Sequence, residues 1–96
     1  MLEIRPVCEH CGRKLPADSV DAMICSFECT FCKDCVDKVL FNVCPNCGGG
    51  LEKRPVRPQE KLINYPPSNL KIHNPVKAEQ FKPMLMQYKN IPPEKR

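Results

Sequence analysis

The sequence has no tryptophan and few other aromatic residues, with four phenylalanines and two tyrosines among its 96 residues. Such a short chain forms at most one small domain, and so few large side chains provide little apolar surface for a core. No apolar run approaches the ~20 residues of a membrane-spanning helix. The opening MLEIRPVC also lacks the apolar segment and cleavage site of a secretory signal. We therefore expect a cytoplasmic protein with no membrane segment, whose small core needs additional stabilisation.

Cysteine is what the chain has in excess. Its eight cysteines form four close pairs in the series C-x2-C-x13-C-x3-C-x2-C-x2-C-x8-C-x2-C. Two thiolates at this spacing can both lie about 2.3 Å from one zinc ion, and four of them complete a tetrahedral site. The series therefore predicts two four-thiolate sites for two Zn²⁺ ions, and a module this small should not fold without them.

Other cysteine chemistries fit the sequence less well. Four disulfides require an oxidising compartment, and the chain shows no secretory signal. A thioredoxin-type redox site needs a βαβ framework that this sequence lacks. Iron–sulfur clusters also take cysteine ligands, but the interleaved pairs are more typical of two mononuclear sites. Zinc is the metal that the pattern favours.

Two regular elements are expected among the cysteines. Alternation of residue types predicts a β-hairpin with a first strand at residues 22–27 and a return strand that begins at Cys29. Residues 33–42 change to helical spacing, which predicts one helix with a core-facing side. That side consists of Val36, Val39 and Leu40.

The composition changes after the glycines at 48–50. We divide the chain into a double-zinc module of residues 1–51 and a basic tail of residues 52–96, which holds eight of the eleven prolines and no cysteine. Such a proline-rich composition favours extended or partly disordered chain. Within the tail, Pro83 could open a short helix with one apolar face. That face consists of Met84, Leu85 and Tyr88.

The four cysteine pairs can be shared between two ions in two ways. Sequential pairing places the first four cysteines on one ion and the last four on the other. A cross-brace alternates the pairs, and we favour it because Cys29 and Cys32 are too close in sequence for two separate subdomains. Its first site consists of Cys8, Cys11, Cys32 and Cys35, and its second site of Cys25, Cys29, Cys44 and Cys47. His10 is not an expected ligand, because the eight thiolates already fill both sites.

The order of these ligands, the helix after the sixth and the C-P-x-C ending resemble a RING finger, the cross-braced double-zinc fold of many ubiquitin ligases. The resemblance implies a small α+β module with a short β-hairpin and one helix. RING ligases resemble one another in an apolar residue within the first knuckle, an aromatic before the seventh ligand and a basic residue after the eighth. Here Glu9 and His10, Phe41, and Gly48 hold those places, and Cys29 stands where most RING fingers have histidine. A ubiquitin ligase is therefore the least favoured function.

Longer stretches of the chain are similar to an uncharacterised family of small bacterial cysteine-rich proteins, a domain of unknown function. These stretches are RPVCEHCGRKLPADS, ICSFECTFCKDC and VCPNCGGGLEKRPVRP. The resemblance is strongest over residues 1–58. It implies a bacterial, cytoplasmic zinc protein and supplies no activity.

Charge is divided unevenly along the chain. Residues 1–51 carry five Lys/Arg and seven Asp/Glu, whereas residues 52–96 carry ten and four. Eight thiolates and two Zn²⁺ ions would bring the first part to a charge of −6 against +6 on the tail. A basic tail could contact nucleic acid, although Tyr65, Phe81 and Tyr88 are too sparse to stack on successive bases. Its positive charge could instead lie against the acidic first part of the chain.

The predicted sites also bear on catalysis. Four thiolates around one zinc ion leave no open coordination position for a substrate, and the sequence shows no catalytic triad or phosphate-binding loop. We therefore expect a zinc-binding interaction module without catalytic activity, whose partner is an unknown protein. Nucleic-acid binding through residues 52–96 is the alternative.

Overall fold

The computed structural model describes residues 1–96. Its three short strands are β1 at Ala22–Ile24, β2 at Thr30–Cys32 and β3 at Glu52–Lys53. Its helices are α1 at Lys33–Cys35, which continues as a π-helical turn at Val36–Leu40, α2 at Gln59–Leu62, and α3 at Ala78–Tyr88, followed by a 3₁₀ turn at Pro93–Lys95. The protein is a small α+β fold, as the sequence predicted, but with three strands and more than one helix.

The strands form one antiparallel sheet in the order β2-β1-β3. Met23, at the centre of β1, pairs with Phe31 on one side and with Lys53 on the other. The first strand ends earlier than the predicted residue 27, because the chain turns back at Cys25. There the Cys25 amide donates to the Cys29 carbonyl at 3.2 Å, and Glu28 takes a left-handed φ of 65° within the turn.

The α1 and π-helical segment covers most of the predicted helix at residues 33–42. Its spacing places Val36 and Leu40 in the core, where both side chains are buried. The helix ends because Phe41 and Asn42 have left-handed φ values of 49° and 60°. The Asn42 side-chain oxygen then accepts a hydrogen bond from the Leu51 amide at 2.9 Å, which directs the chain into β3.

The sheet and core extend beyond residue 51. Strand β3 lies in the predicted tail, and the next residue, Arg54, is 1% exposed. Its guanidinium donates hydrogen bonds to three backbone carbonyls and to no carboxylate. These belong to Arg5 at 2.9 Å, Leu15 at 3.2 Å and Pro16 at 2.8 Å. Burial lowers the pKa of Arg54. The division into a module of residues 1–51 and a tail of residues 52–96 stays a prediction, and Arg54 forms hydrogen bonds between the two parts.

Two more arginines of the tail bind the backbone of the first part. Arg57 donates to the Leu2 carbonyl at 2.6 Å. Arg96 donates to the Asn42 carbonyl at 2.8 Å and to the Gly48 carbonyl at 3.1 Å. A planar guanidinium with several N–H groups suits this role, because one side chain can satisfy carbonyls from separate segments.

Helix α3 is longer than the short helix that we expected to begin at Pro83. It starts at Ala78, because Ala78, Glu79 and Gln80 are residues that tolerate a first helical turn, and Pro83 lies inside it. The expected apolar face packs against the core, and it extends one turn back to Phe81, which is buried. The C-terminal helix therefore covers part of the cysteine-rich region.

The buried guanidinium of Arg54 gives a test of this packing. We expect Arg54→Met to lower the free energy of unfolding by about 2–3 kcal/mol, because three backbone carbonyls, one of them fully buried, lose their donor. The measurement is chemical denaturation followed by circular dichroism, at one fixed metal concentration. The matched control is Lys53→Met on the neighbouring exposed position, which should stay within about 0.5 kcal/mol of the original protein. Equal effects of the two variants would contradict the assigned role of Arg54.

Candidate metal centres

The first cysteine cluster joins the first and third pairs of the sequence. The sulfur atoms of Cys8, Cys11, Cys32 and Cys35 all lie within 4.8 Å of one another. Cys8 and Cys11 come from the first knuckle, Cys32 ends β2, and Cys35 belongs to α1. The turn from strand to helix therefore brings one pair to the knuckle that carries the other.

The second cluster joins cysteines from the hairpin and the second knuckle. The sulfur atoms of Cys25, Cys44 and Cys47 lie within 4.8 Å of one another. The predicted fourth member, Cys29, stands outside this set of three. It adjoins the cluster nonetheless, because the Cys29 carbonyl accepts a hydrogen bond from the Cys25 amide at 3.2 Å.

Both knuckles have the same local structure. In the first, the Gly12 amide donates to the Cys8 carbonyl at 2.9 Å, and in the second, the Gly48 amide donates to the Cys44 carbonyl at 2.8 Å. Gly12 and Gly48 have φ values of 77° and 80°, a region that glycine adopts without steric strain. The sequence C-x-x-C-G thus builds a tight turn that presents two sulfurs on one side.

The clusters fit a thiophilic metal ion. Two sulfurs on a tetrahedral zinc ion, each about 2.3 Å from the metal, are about 3.8 Å apart, and the Cys11 and Cys32 sulfurs are 3.7 Å apart. Backbone amides also point at sulfur, from Phe27 to Cys25 at 3.3 Å and from Gly49 to Cys47 at 3.4 Å. Amide donors of this kind stabilise thiolates, and no pair of cysteines is joined in a disulfide. Each cluster could therefore hold a metal ion.

Crowding of the sulfurs drives the thiol pKa values apart. A hydrogen bond with the Cys44 thiol lowers the pKa of Cys29 to about 5, and the same contact raises the pKa of Cys44. In the first cluster, burial raises the pKa of Cys32 and Cys35. Burial acts in that direction on Cys11 too, but hydrogen bonds from a backbone amide and from neighbouring thiols lower its pKa. Hydrogen bonds and burial thus favour ionisation of some thiols over others, whereas a bound divalent cation would stabilise all of them as thiolates.

His10 lies beside the first cluster but faces the tail. Its ring Nδ1 accepts a hydrogen bond from the Val76 amide at 2.8 Å. Its backbone carbonyl lies 3.2 Å from the Nε2 of His73. The side chain is half-buried, because the chain before α3 runs across the first knuckle.

Glu9 and Asn46 are site residues that the sequence analysis did not identify. Glu9 is 7% exposed, and its carboxylate accepts hydrogen bonds from the side-chain amide of Asn46 at 3.1 and 3.2 Å. The same amide donates to the Cys29 sulfur at 3.3 Å. Burial raises the pKa of Glu9, while the Asn46 hydrogen bond acts against that rise. The sequence does show a polar residue inside each C-x-x-C pair, Glu9 in the first and Asn46 in the second. Cysteine spacing alone, however, gives no reason to expect that these two side chains contact each other.

The chain has a relative among known proteins. None of the helices is long and apolar enough to cross a membrane. No solved structure gives a significant match. A protein of Rhizobium meliloti (strain 1021), named as uncharacterized, is 56% identical over 75 residues, which are 78% of this chain and 89% of the relative.

A family model described as "Protein of unknown function (DUF1272)" matches residues 1–57. That range contains all eight cysteines and both cysteine clusters. The similarity to a family of small cysteine-rich bacterial proteins, noted above on residues 1–58, is confirmed by this match and by the bacterial relative. The chain belongs to the family described as Protein of unknown function (DUF1272).

Proposed function

We propose that this protein is a zinc-binding interaction module without catalytic activity of its own. The two zinc ions would be held in a cross-brace by alternating pairs of cysteines. The first site would use Cys8, Cys11, Cys32 and Cys35, and the second Cys25, Cys29, Cys44 and Cys47. The observation that carries the proposal is the first cluster, in which the sulfurs of two pairs far apart in sequence converge within 4.8 Å.

Two properties of the clusters support a structural role for the metal. Six of the eight cysteines are buried, so a substrate would have little access to a bound ion. Four thiolates around each zinc would also leave no open position for a reacting group. The ions would instead cross-link the hairpin, the helix and both knuckles. We place the protein in the reducing cytoplasm, where thiols remain free for metal.

The exposed apolar side chains favour a protein as the partner. Phe27 and Phe41 are 70% and 50% exposed. Phe41 borders a shallow groove of about 500 Å³, which Met23 and Leu51 also line. Exposed aromatic residues beside a groove are typical of protein-binding surfaces. The groove lies between the helix and β3, so its shape would depend on the cross-linked fold.

Metal content tests the proposed sites. Because two clusters of thiols are available, the protein purified under reducing conditions should hold two zinc ions per chain, measured by elemental analysis. A chelator that removes them should unfold the protein, seen as loss of its circular dichroism signal. The control is the same treatment with the chelator already saturated with zinc. One ion per chain with four freely reactive thiols would contradict the two-site proposal.

The pairing of cysteines is tested with cadmium in place of zinc. In a cross-brace, Cys32→Ser should change the cadmium NMR signal linked to Cys8 and Cys11 more than the signal linked to Cys47. The reciprocal control is Cys44→Ser, which should mainly change the signal linked to Cys25 and Cys47. A coupling between Cys32 and the metal of Cys47 would show that the pairs are sequential.

Nucleic-acid binding is the second candidate, and one observation favours it. All seven lysines of residues 52–96 are exposed. All ion pairs of the structure are formed by residues within the range 3–37. None of the tail lysines therefore has a carboxylate within ion-pair distance. The tail therefore keeps positive charge that phosphate groups could use.

We expect this candidate to fail at physiological salt, because the proposed metal sites would leave the protein close to neutral and without long-range attraction for nucleic acid. The measurement is titration of labelled single- and double-stranded oligonucleotides at two salt concentrations. The comparison variant replaces Lys61, Lys71 and Lys82 by Gln, and its matched control replaces Lys14, Lys33 and Lys38. Micromolar binding at about 0.15 M salt, lost in the tail variant and kept in the control, would reverse our ranking.

A further inference from the structure

One side-chain amide connects the two cysteine clusters. The Asn46 Nδ2 donates a hydrogen bond to the Cys29 sulfur at 3.3 Å and contacts both oxygens of the Glu9 carboxylate at 3.1 and 3.2 Å. Glu9 belongs to the first knuckle, between Cys8 and Cys11, whereas Asn46 belongs to the second, between Cys44 and Cys47. A residue from one candidate metal site thus reaches a sulfur of the other through a single intermediate.

The chemistry of the three groups fixes the direction of the hydrogen bonds. A side-chain amide nitrogen carries two hydrogens and no acceptor. A carboxylate only accepts, and a thiolate sulfur accepts as well. Both hydrogens of the Asn46 amide are therefore used, one toward Glu9 and one toward Cys29. Rotation of the amide by half a turn would point its oxygen at two other acceptors, which would be repulsive.

Glu9 is held in place by more contacts than Asn46. Its backbone amide donates to the Thr30 carbonyl at 2.9 Å, and its carbonyl accepts from the Asn74 amide at 2.8 Å. Glu9 is buried, whereas Asn46 is exposed to solvent. An exposed amide without a fixed partner would rotate toward water, so the ordered partner here is Glu9.

We propose that Glu9 and Asn46 are positioning residues that hold Cys29 as the fourth ligand of the second metal ion, and that they link the loading of the two sites. This inference rests on the proposed function, because it requires a metal in each cluster. The need for such support is visible in the structure. Cys29 is the predicted ligand that stands outside the close set formed by Cys25, Cys44 and Cys47.

The link between the sites follows from the position of Glu9 in the chain. A metal bound to Cys8 and Cys11 fixes the knuckle that carries Glu9, and an ordered Glu9 fixes Asn46 beside Cys29. Residues that orient a ligand typically change metal affinity about 10- to 100-fold when they are removed. Coupling between two binding events is reciprocal, so the factor by which the first metal strengthens binding of the second is also the factor by which the second strengthens binding of the first.

The experiment uses the full chain loaded with cadmium, with stepwise affinities from chelator competition and the two sites distinguished by cadmium NMR. Asn46→Ala should weaken the second site about 10- to 100-fold and shift its cadmium signal, because the Cys29 sulfur loses a hydrogen bond. The first site's signal should stay in place. The matched control is Asn74→Ala, another exposed asparagine beside Glu9 whose side chain forms no hydrogen bond to sulfur. It should bind both ions as the original protein does.

Glu9→Gln tests the link itself. A neutral amide oxygen accepts a weaker hydrogen bond than a carboxylate, so the second site should weaken by about fivefold, although residue 9 lies in the first knuckle. In the Asn46→Ala background the same substitution should have no further effect on the second site, because its effect passes through Asn46. A purely structural role of Glu9 would give additive losses instead.

The outcomes separate this inference from the function on which it rests. If the original protein binds only one cadmium ion, the two-site proposal fails and this inference fails with it. If two ions bind but Asn46→Ala behaves like Asn74→Ala, the positioning role alone is wrong. If Asn46→Ala weakens the second site while Glu9→Gln leaves it unchanged, Asn46 acts without Glu9 and the link between the sites is overturned.

Discussion

The structure depends on the close approach of cysteine sulfurs. Thiols within 4.8 Å of one another are costly to ionise together, because each thiolate repels the next. The hydrogen bond between Cys29 and Cys44 also moves their pKa values in opposite directions. Repulsion between thiolates would be avoided if the cysteines were far apart in the fold. This fold brings them together from both knuckles, the hairpin and the helix, at positions where most of them are buried. Positive charge between the sulfurs would stabilise all of them as thiolates, which is the strongest physical argument for metal.

The tail is joined to the first part by arginines rather than by ion pairs. Opposite net charges on the two parts suggest salt bridges between them, but Arg54, Arg57 and Arg96 all bind backbone carbonyls. A carbonyl remains an acceptor whatever the pH, and a buried contact to it is weakly screened by salt. The attachment of the tail should therefore depend little on ionic strength. The lysines of the tail remain in water.

The sequence predicted well the features that depend on short spacing, such as the buried helical positions Val36 and Leu40. The cysteine series predicted two clusters of four, and the structure has one cluster of four and one of three that omits Cys29. The contacts between distant segments were not predictable in the same way. Burial of Arg54, and of Glu9 beside Asn46, contradicts the usual exposure of charged residues, and only the assembled backbone supplies their partners. The first strand also ends earlier than predicted. Its alternation of side-chain types continues to residue 27, but residues 25–27 belong to the turn that leads to Cys29.

The two knuckle glycines differ in what surrounds them. A Cβ on Gly12 would lie 3.4 Å from the His73 ring, an ordinary contact, whereas a Cβ on Gly48 would lie 2.8 Å from the Tyr88 ring of α3. Residue 12 is therefore restricted by its backbone alone, and asparagine, which tolerates the left-handed region, could replace it at moderate cost. Residue 48 is restricted in two independent ways, by the positive φ of the knuckle turn and by the packing of α3 against it. Among related chains, variation at position 48 should accompany loss or displacement of that helix, whereas variation at position 12 carries no such implication.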